Sequence, residues 1–243
     1  MRYHDNEEAP HGLHIFEGVV PQDLIDEINA TIDICRDDWR PADGRRAAHV
    51  AQRFGRRLRL CDRFARAEQQ ACDASRRWAS QLGWEISSDP IYVLRCVNGS
   101  MPAQSHLRHY DSHILTLLIP LQVAQGSGEN GDLIIYRRRR HAVSVMSNLI
   151  AKAWLIVLHC LPFASRQAQT YRHLDRQLCD RIACQPGNVY AFNGFVTLHA
   201  NLHVNAGERR SLIIHYYDPG LTAGLHLLPR ALRALRDRLL DAV

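Results

Sequence analysis

His109 and Asp111 stand two residues apart in RHYDSHILTLLIPL, residues 108–121, directly before an apolar run rich in β-formers. Both side chains are costly to bury unpartnered, and both bind divalent metals. At a strand end, positions i and i+2 point to one face, so the pair offers a metal two adjacent ligands. A third ligand from another strand would complete a two-His, one-carboxylate set that leaves coordination positions open. His199, in AFNGFVTLHAN just past a strand and a turn, is the candidate. Ten residues on, in GERRSLIIHYY, Arg209 and Ser211 share parity, so both can face the same interior. An interior Arg needs an anion. A dicarboxylate co-substrate supplies one that a guanidinium grips bidentately, with the Ser hydroxyl assisting.

Other residues compete for these roles. A second H-x-D, His173–Asp175, lies in TYRHLDRQL, which reads as helix or loop. On a helix, i and i+2 do not face each other. That motif also leaves too little chain before His199 for the strands between them. His106 and His113 flank the first motif and read as mouth-lining or exposed residues, and His215 as a packed or rim residue. The run Arg137–Arg140 reads as a solvated face, with a phosphate, carboxylate or carrier-protein patch as its functional alternative.

The elements that must hold these residues fall into helices first and strands second. Residues 14–20 (HIFEGVV) form a short strand candidate, and 22–35 (QDLIDEINATIDIC) a helix with Leu24, Ile25, Ile28 and Ile32 at helical spacing. The Arg-rich stretch 36–59 is weakly patterned and reads as loop with short elements, and 61–82 as a second helix ending at Gly83. Strands follow at 91–97, 114–121, 132–136, the VYAF of 189–192 and 211–217, separated by Gly, Pro and Asn turns. That spacing predicts a barrel or sandwich. A helical insertion over about 147–178 interrupts them, a length typical of a lid or substrate element. Residues 225–243 form an amphipathic helix with Leu228, Leu232, Leu235 and Leu239 on one face, expected to dock on the core. We expect one domain over 1–243, with helical support at about 1–85 and a β core at about 91–217. No internal repeat is visible.

Composition narrows the class. The 243 residues are 46% hydrophobic and 23% charged, ordinary for a soluble globular chain. No apolar run reaches the ~20 residues that span a bilayer, and the N-terminus shows no signal-peptide apolar region. We therefore expect a soluble, cytoplasmic protein that does not bind membranes. Seven cysteines without a C-x-x-C predict free thiols rather than a disulfide framework or zinc ribbon. The net charge of +5 is almost entirely arginine, Lys152 being the only lysine. That field favours anionic ligands, but no Arg stripe alternating with aromatics is present, so nucleic acid is not an expected partner.

Taken in order, HYD at 109–111 followed by ILTLLIPL, GENGDLIIY at 128–136, PGNVYAFNGFVTLHAN at 186–201 and GERRSLIIHYY at 207–217 resemble the Fe(II)- and 2-oxoglutarate-dependent dioxygenases, most closely the prolyl-4-hydroxylase-like branch. The resemblance covers about half the chain, residues 91–217. It implies a double-stranded β-helix (jelly-roll) core with flanking helices, an α+β chain that is mainly β. It also implies iron bound by His109, Asp111 and His199, and 2-oxoglutarate held by Arg209 with Ser211 beside it. Arg209 is preferred to Arg210 because the family has a small residue two places on. The family often carries a Tyr before its H-x-D, and Tyr92 is the nearest candidate.

The implied activity is hydroxylation of an unactivated C–H with O2 as oxidant, ascorbate being a candidate reductant. Retention of Asp111 favours hydroxylation over halogenation, while desaturation and ring formation use the same ligands. The expected substrate is a small, anionic metabolite such as an amino acid or biosynthetic intermediate. Alternatives are a peptide or protein side chain, a catalytically inactive module that binds metal and 2-oxoglutarate, or an Arg-rich nucleic-acid binder. Oligomeric state is not legible.

Overall fold

The computed structural model describes residues 12–35, 44–125, 128–140, 143 and 145–219. The element order is β1 (His14–Phe16), α1 (Gln22–Cys35), α2 (Gly44–Leu58), α3 (Asp62–Gln81), β2 (Ile91–Asn98), β3 (Leu115–Gln122), β4 (Leu133–Arg139), α4 (Val145–His159), α5 (Phe163–Asp175), β5 (Cys179–Ile182), β6 (Val189–Asn193), β7 (Thr197–Asn201) and β8 (Glu208–Tyr216). The strands form two antiparallel sheets, one ordered β1-β6-β3-β8-β2 and the other β5-β4-β7. Neighbours that are distant in sequence give the jelly-roll winding expected from the motifs.

Alternation along β3 shows how the sheets are stacked. Leu115, Leu117, Ile119 and Leu121 join the core beneath the helices, with Ile25, Ile28, Phe64, Leu212 and Ile214. Leu118 points the other way, into a core between the sheets with Leu133, Ile135, Tyr190 and Phe192. Both faces of β3 are covered, which is why its sequence is a continuous apolar run rather than an alternating one. Each fully buried Leu or Ile here contributes about 1.5–3 kcal/mol. The outer face of the small sheet carries Ile134, Tyr136 and Ala200, with Leu174 of α5 against them.

Four expectations need correction. The stretch 36–59 is not mainly loop, since 44–58 form α2. Its apolar stripe is narrow, Ala51, Phe54 and Leu58, diluted by arginines that snorkel outward. Strand β1 is shorter than 14–20 because the chain turns at Glu17–Gly18. Strands β5 and β7, the second carrying His199, are not among the expected strands. Tyr92 does not face the site. It pairs with Ile214 on the helix-facing side of the sheet, where Gly55 of α2 leaves room for its ring; a Cβ there would sit 2.2 Å from it.

Other expectations hold. All seven cysteines are free. The insertion is helical, as α4 and α5. No helix among the described residues is long and apolar enough to cross a membrane. The expected C-terminal helix at 225–243 lies outside the described residues.

Candidate metal centre

The H-x-D segment extends the small sheet rather than opening β3. His109 and His199 form an isolated antiparallel bridge, exchanging N–H···O bonds of 2.9 and 3.1 Å. The amide of His106 donates to Asn201 O at 2.8 Å and that of Asp111 to Gly194 O at 2.9 Å. Residues 106–111 thus act as a rudimentary strand beside β7, and the two histidines face each other across it. Parity does put His109 and Asp111 on one side, as expected, but the partner that holds them is β7.

His109, Asp111 and His199 each offer a ligand atom, all within 4.8 Å of one another. Nε2 of His109 is 3.7 Å from Asp111 Oδ1, and Nε2 of His199 is 3.6 Å from Asp111 Oδ2. In both rings Nδ1 donates to a backbone carbonyl, Leu107 O at 3.0 Å and Thr197 O at 3.1 Å. That bond fixes the tautomer and turns the Nε2 lone pair toward the carboxylate, as a carbonyl partner does for a metal-binding histidine. Two lone pairs and a carboxylate converging at this spacing fit a divalent cation. The His109 side chain is 40% exposed, so the centre is reachable from solvent.

Electrostatics favour the ligating protonation states. Although one edge of its ring reaches solvent, desolvation by the packing around His109 pushes it down to about 4, with His199 adding to the shift. Burial opposes the Asp111 charge, but His199, His215, His109 and the Thr116 hydroxyl outweigh it and hold the carboxyl well below its usual range. Thr116 Oγ1 donates to Asp111 Oδ2 at 2.5 Å. Having spent its one proton there, it accepts from His215 Nδ1 at 3.1 Å. His215, read from sequence as a packed or rim residue, therefore orients the carboxylate through Thr116. Gly194 is required beside it, because a Cβ would lie 2.1 Å from Asp111 Oδ2.

Alternation along β8 places the two adjacent arginines on opposite sides, as parity predicts. Arg210 points to the helices and pairs with Asp33 at 2.5 Å and Glu208 at 2.6 Å. Arg209 points between the sheets, is 6% exposed, and donates to Gly131 O at 2.5 Å. Its Nε is buried without a partner. Burial, then repulsion from Arg95, brings its guanidinium down to about 10. Gly131, at φ +82°, lets the Arg209 stem pass where a Cβ would sit 2.8 Å away. Leu118, Pro120, Asp132, Cys184, Arg209 and Ser211 are among the residues that line one small cavity, where Asp132 attracts the guanidinium without forming an ion pair with it. Arg209 and Ser211 are thus brought together, as expected.

His106 and His113 are buried, not exposed, which corrects the sequence reading. His106, at φ +57°, donates from Nε2 to Glu129 at 3.2 Å. Glu129 also accepts from Gln167 and Tyr171 of α5 and from the His203 amide. The insertion grips the same segment a second time. His159 Nε2 donates to Arg108 O at 2.8 Å, and Arg108 reaches Gln169 at 2.5 Å. So α4 and α5 buttress the strand that carries His109. His173 sits on α5, where it bonds Tyr136 at 2.8 Å, away from the triad. Nor is the arginine run simply solvated. Arg137 pairs with Asp180 at 2.6 Å, and Arg140 stacks 3.7 Å over the Tyr110 ring between the two first ligands.

No family model matches the chain, and no curated protein does. Among solved structures, it is similar to a Pseudomonas putida prolyl-4-hydroxylase, at 14% identity over 85% of this chain and 88% of that one, with a TM-score of 0.46. It is similar to HygX from Streptomyces hygroscopicus, solved with nickel and 2-oxoglutarate bound, at 12% identity over 86% and 83%, TM-score 0.48. A third is EvdO2 from Micromonospora carbonacea var. aurantiaca, at 12% over 90% and 91%, TM-score 0.46. With all three scores below 0.5, what this chain does is read from its own site.

Proposed function

We propose that the chain is an Fe(II)- and 2-oxoglutarate-dependent oxygenase that hydroxylates a small anionic metabolite. The observation that carries this is a His-Asp-His set with Nε2 atoms turned to one point, together with an inward-facing, buried guanidinium that makes no ion pair among the described residues and whose Nε has no partner. His109, Asp111 and His199 would hold the iron, which when bound supplies the oxidising chemistry with O2. Three protein ligands leave positions for a chelating co-substrate. Arg209 would receive the far carboxylate of 2-oxoglutarate, with the Ser211 hydroxyl beside it. Such a pairing repays the desolvation of an interior arginine.

Thr116 and His215 keep the Asp111 carboxylate ionised and aimed. The bridge to β7 and the grip of α5 hold His109 still, so that ligands and substrate meet in one fixed geometry. The net charge of +5, which favours anionic ligands, supports an anionic metabolite as the molecule oxidised. A protein side chain is the alternative a substrate screen distinguishes. The reading is tested by supplying Fe(II), 2-oxoglutarate and O2 and measuring succinate and CO2. Slow uncoupled release is expected from wild type and is lost in Asp111→Ala and His199→Ala, while Arg209→Ala raises the 2-oxoglutarate concentration required. Normal succinate output from any of these variants would contradict the assignment.

A further inference from the structure

A second arginine faces the same interior. In the register between β2 and β8, Val97 pairs with Arg209 and Arg95 with Ser211. Directly paired residues share a face, so Arg95 stands on the cavity side, diagonal to Arg209 at roughly 7–8 Å between backbones. The triad lies on its other flank. Asp111 attracts the Arg95 guanidinium, while His109, His215 and Arg209 feel its repulsion. It is half-buried, and its hydrogen-bond partner is the neutral Gln104 amide oxygen at 3.1 Å.

Several other described arginines have carboxylate partners. Arg59 has Glu68, Arg181 has Asp132, and Arg210 has two carboxylates. Arg166 is spent on two backbone carbonyls. Arg95 and Arg209 are two cations on one interior face, and among the described residues neither forms an ion pair; Asp132, which lines the Arg209 cavity and attracts its guanidinium, is itself paired with Arg181. The carboxylate nearest to Arg95 in effect, Asp111, is already engaged by Thr116 and committed to the metal. Two guanidiniums this close in a low-dielectric cavity repel unless anions separate them. One anion on Arg209 leaves Arg95 unneutralised.

We propose that Arg95 grips a second carboxylate inside the site, distinct from the one Arg209 takes. This rests on the oxygenase reading and adds a specificity-determining residue to it. The carboxylate has two sources of the same chemistry, the near end of the 2-oxo acid itself or an acid group on the molecule to be oxidised. Either way the guanidinium sets which ligands fit beside the triad.

The test compares wild type, Arg95→Gln, Arg95→Lys and Arg209→Gln, each loaded with Mn(II), whose uptake also shows that the variant is folded. Calorimetry follows 2-oxoglutarate and 2-oxovalerate, which lacks the far carboxylate, and thermal shift follows acetate added to the 2-oxoglutarate complex. If Arg95 holds the co-substrate, Arg95→Gln weakens both oxo acids on the order of tenfold or more, the worth of one charge-assisted bond. Arg95→Lys recovers part of it, and Arg209→Gln weakens 2-oxoglutarate alone. If Arg95 holds the substrate, Arg95→Gln leaves both oxo acids unchanged and abolishes the acetate stabilisation seen in wild type. Unchanged oxo-acid binding together with unchanged or absent acetate stabilisation overturns the proposal. Should wild type take up no Mn(II), the oxygenase reading falls separately. Acetate stabilisation of metal-free wild type that Arg95→Gln removes would then keep Arg95 as an anion site, and its absence would end it.

Discussion

The two faces of the large sheet are built to opposite rules. On the helix-facing side of β8, Arg210, Leu212 and Ile214 are all satisfied, the arginine by Asp33 and Glu208 and the apolar pair by α1, α3 and β3. On the inner side, one residue away each time, Arg209 has a buried Nε without a partner and His215 looks through Thr116 to Asp111. The outer face is a finished core. The inner face holds an arginine whose Nε has no partner, and the proposed function puts the ligands on that side. A protein keeps costly groups in such a state where function requires it.

The largest expected effect breaks the outer face. Leu212→Ala, at a position with 0% exposure, should cost about 2–5 kcal/mol of unfolding free energy and leave metal affinity per folded molecule unchanged. Denaturant titration with and without Mn(II) checks both halves. The inner face should respond the other way. Asp111→Ala should weaken Mn(II) binding by at least about a hundredfold, more than is lost when only a group that orients a ligand is removed, with little change in the melting of the metal-free protein. Gly194→Ala should fall between these, about ten- to a hundredfold in metal affinity. Its methyl must push Asp111 off its position, and equilibrium dialysis reads the loss directly.

The neighbouring arginines sharpen the contrast further. Arg210→Ala removes the ion pairs to Asp33 and Glu208 and should destabilise by about 1–3 kcal/mol. Arg209→Ala should be neutral or stabilising for the ligand-free protein, because it removes a buried charge rather than a pair. Thermal melts of the two variants side by side decide this.

The smallest effect is pH dependence at the clamp between α5 and the H-x-D segment. Burial lowers His106 from 6.5. Glu129 is lowered from 4.5 although burial opposes it, because Tyr171, Gln167, the His203 amide and His106 all favour its charge. Both native groups resist protons that the unfolded chain accepts. Their stability is therefore fully present above about pH 6.5 and is lost as pH falls, first through His106 and then, below about 4.5, through Glu129. Urea midpoints across that range should decline, and Glu129→Gln should flatten the acid limb.

Much of this was legible from residue order because period-two alternation is strict. It put His109 with Asp111 and Arg209 with Ser211, while the choice of Arg209 over Arg210 came from the resemblance. What was hidden depends on partners distant in sequence. Arg95 lies in IYVLRCV, which reads simply as a strand with one charge, and only its register against Ser211 shows where it points. Helix α2 was obscured by arginines around a three-residue stripe. The burial of His106 and His113 follows from packing against α5 and His215, contacts that no local pattern encodes. Tyr92 was drawn toward the site by resemblance, and its pairing with Ile214 turned it away.

The most direct measurement is anaerobic. Fe(II) and then 2-oxoglutarate are added to the purified protein, and the visible spectrum is followed for the weak absorption of a chelated complex. The account predicts the band in wild type, its loss in His109→Ala, and a higher 2-oxoglutarate requirement in Arg209→Ala. No band from folded wild type, or an undiminished band in His109→Ala, would contradict the claim that His109, Asp111, His199 and Arg209 form one oxygenase site.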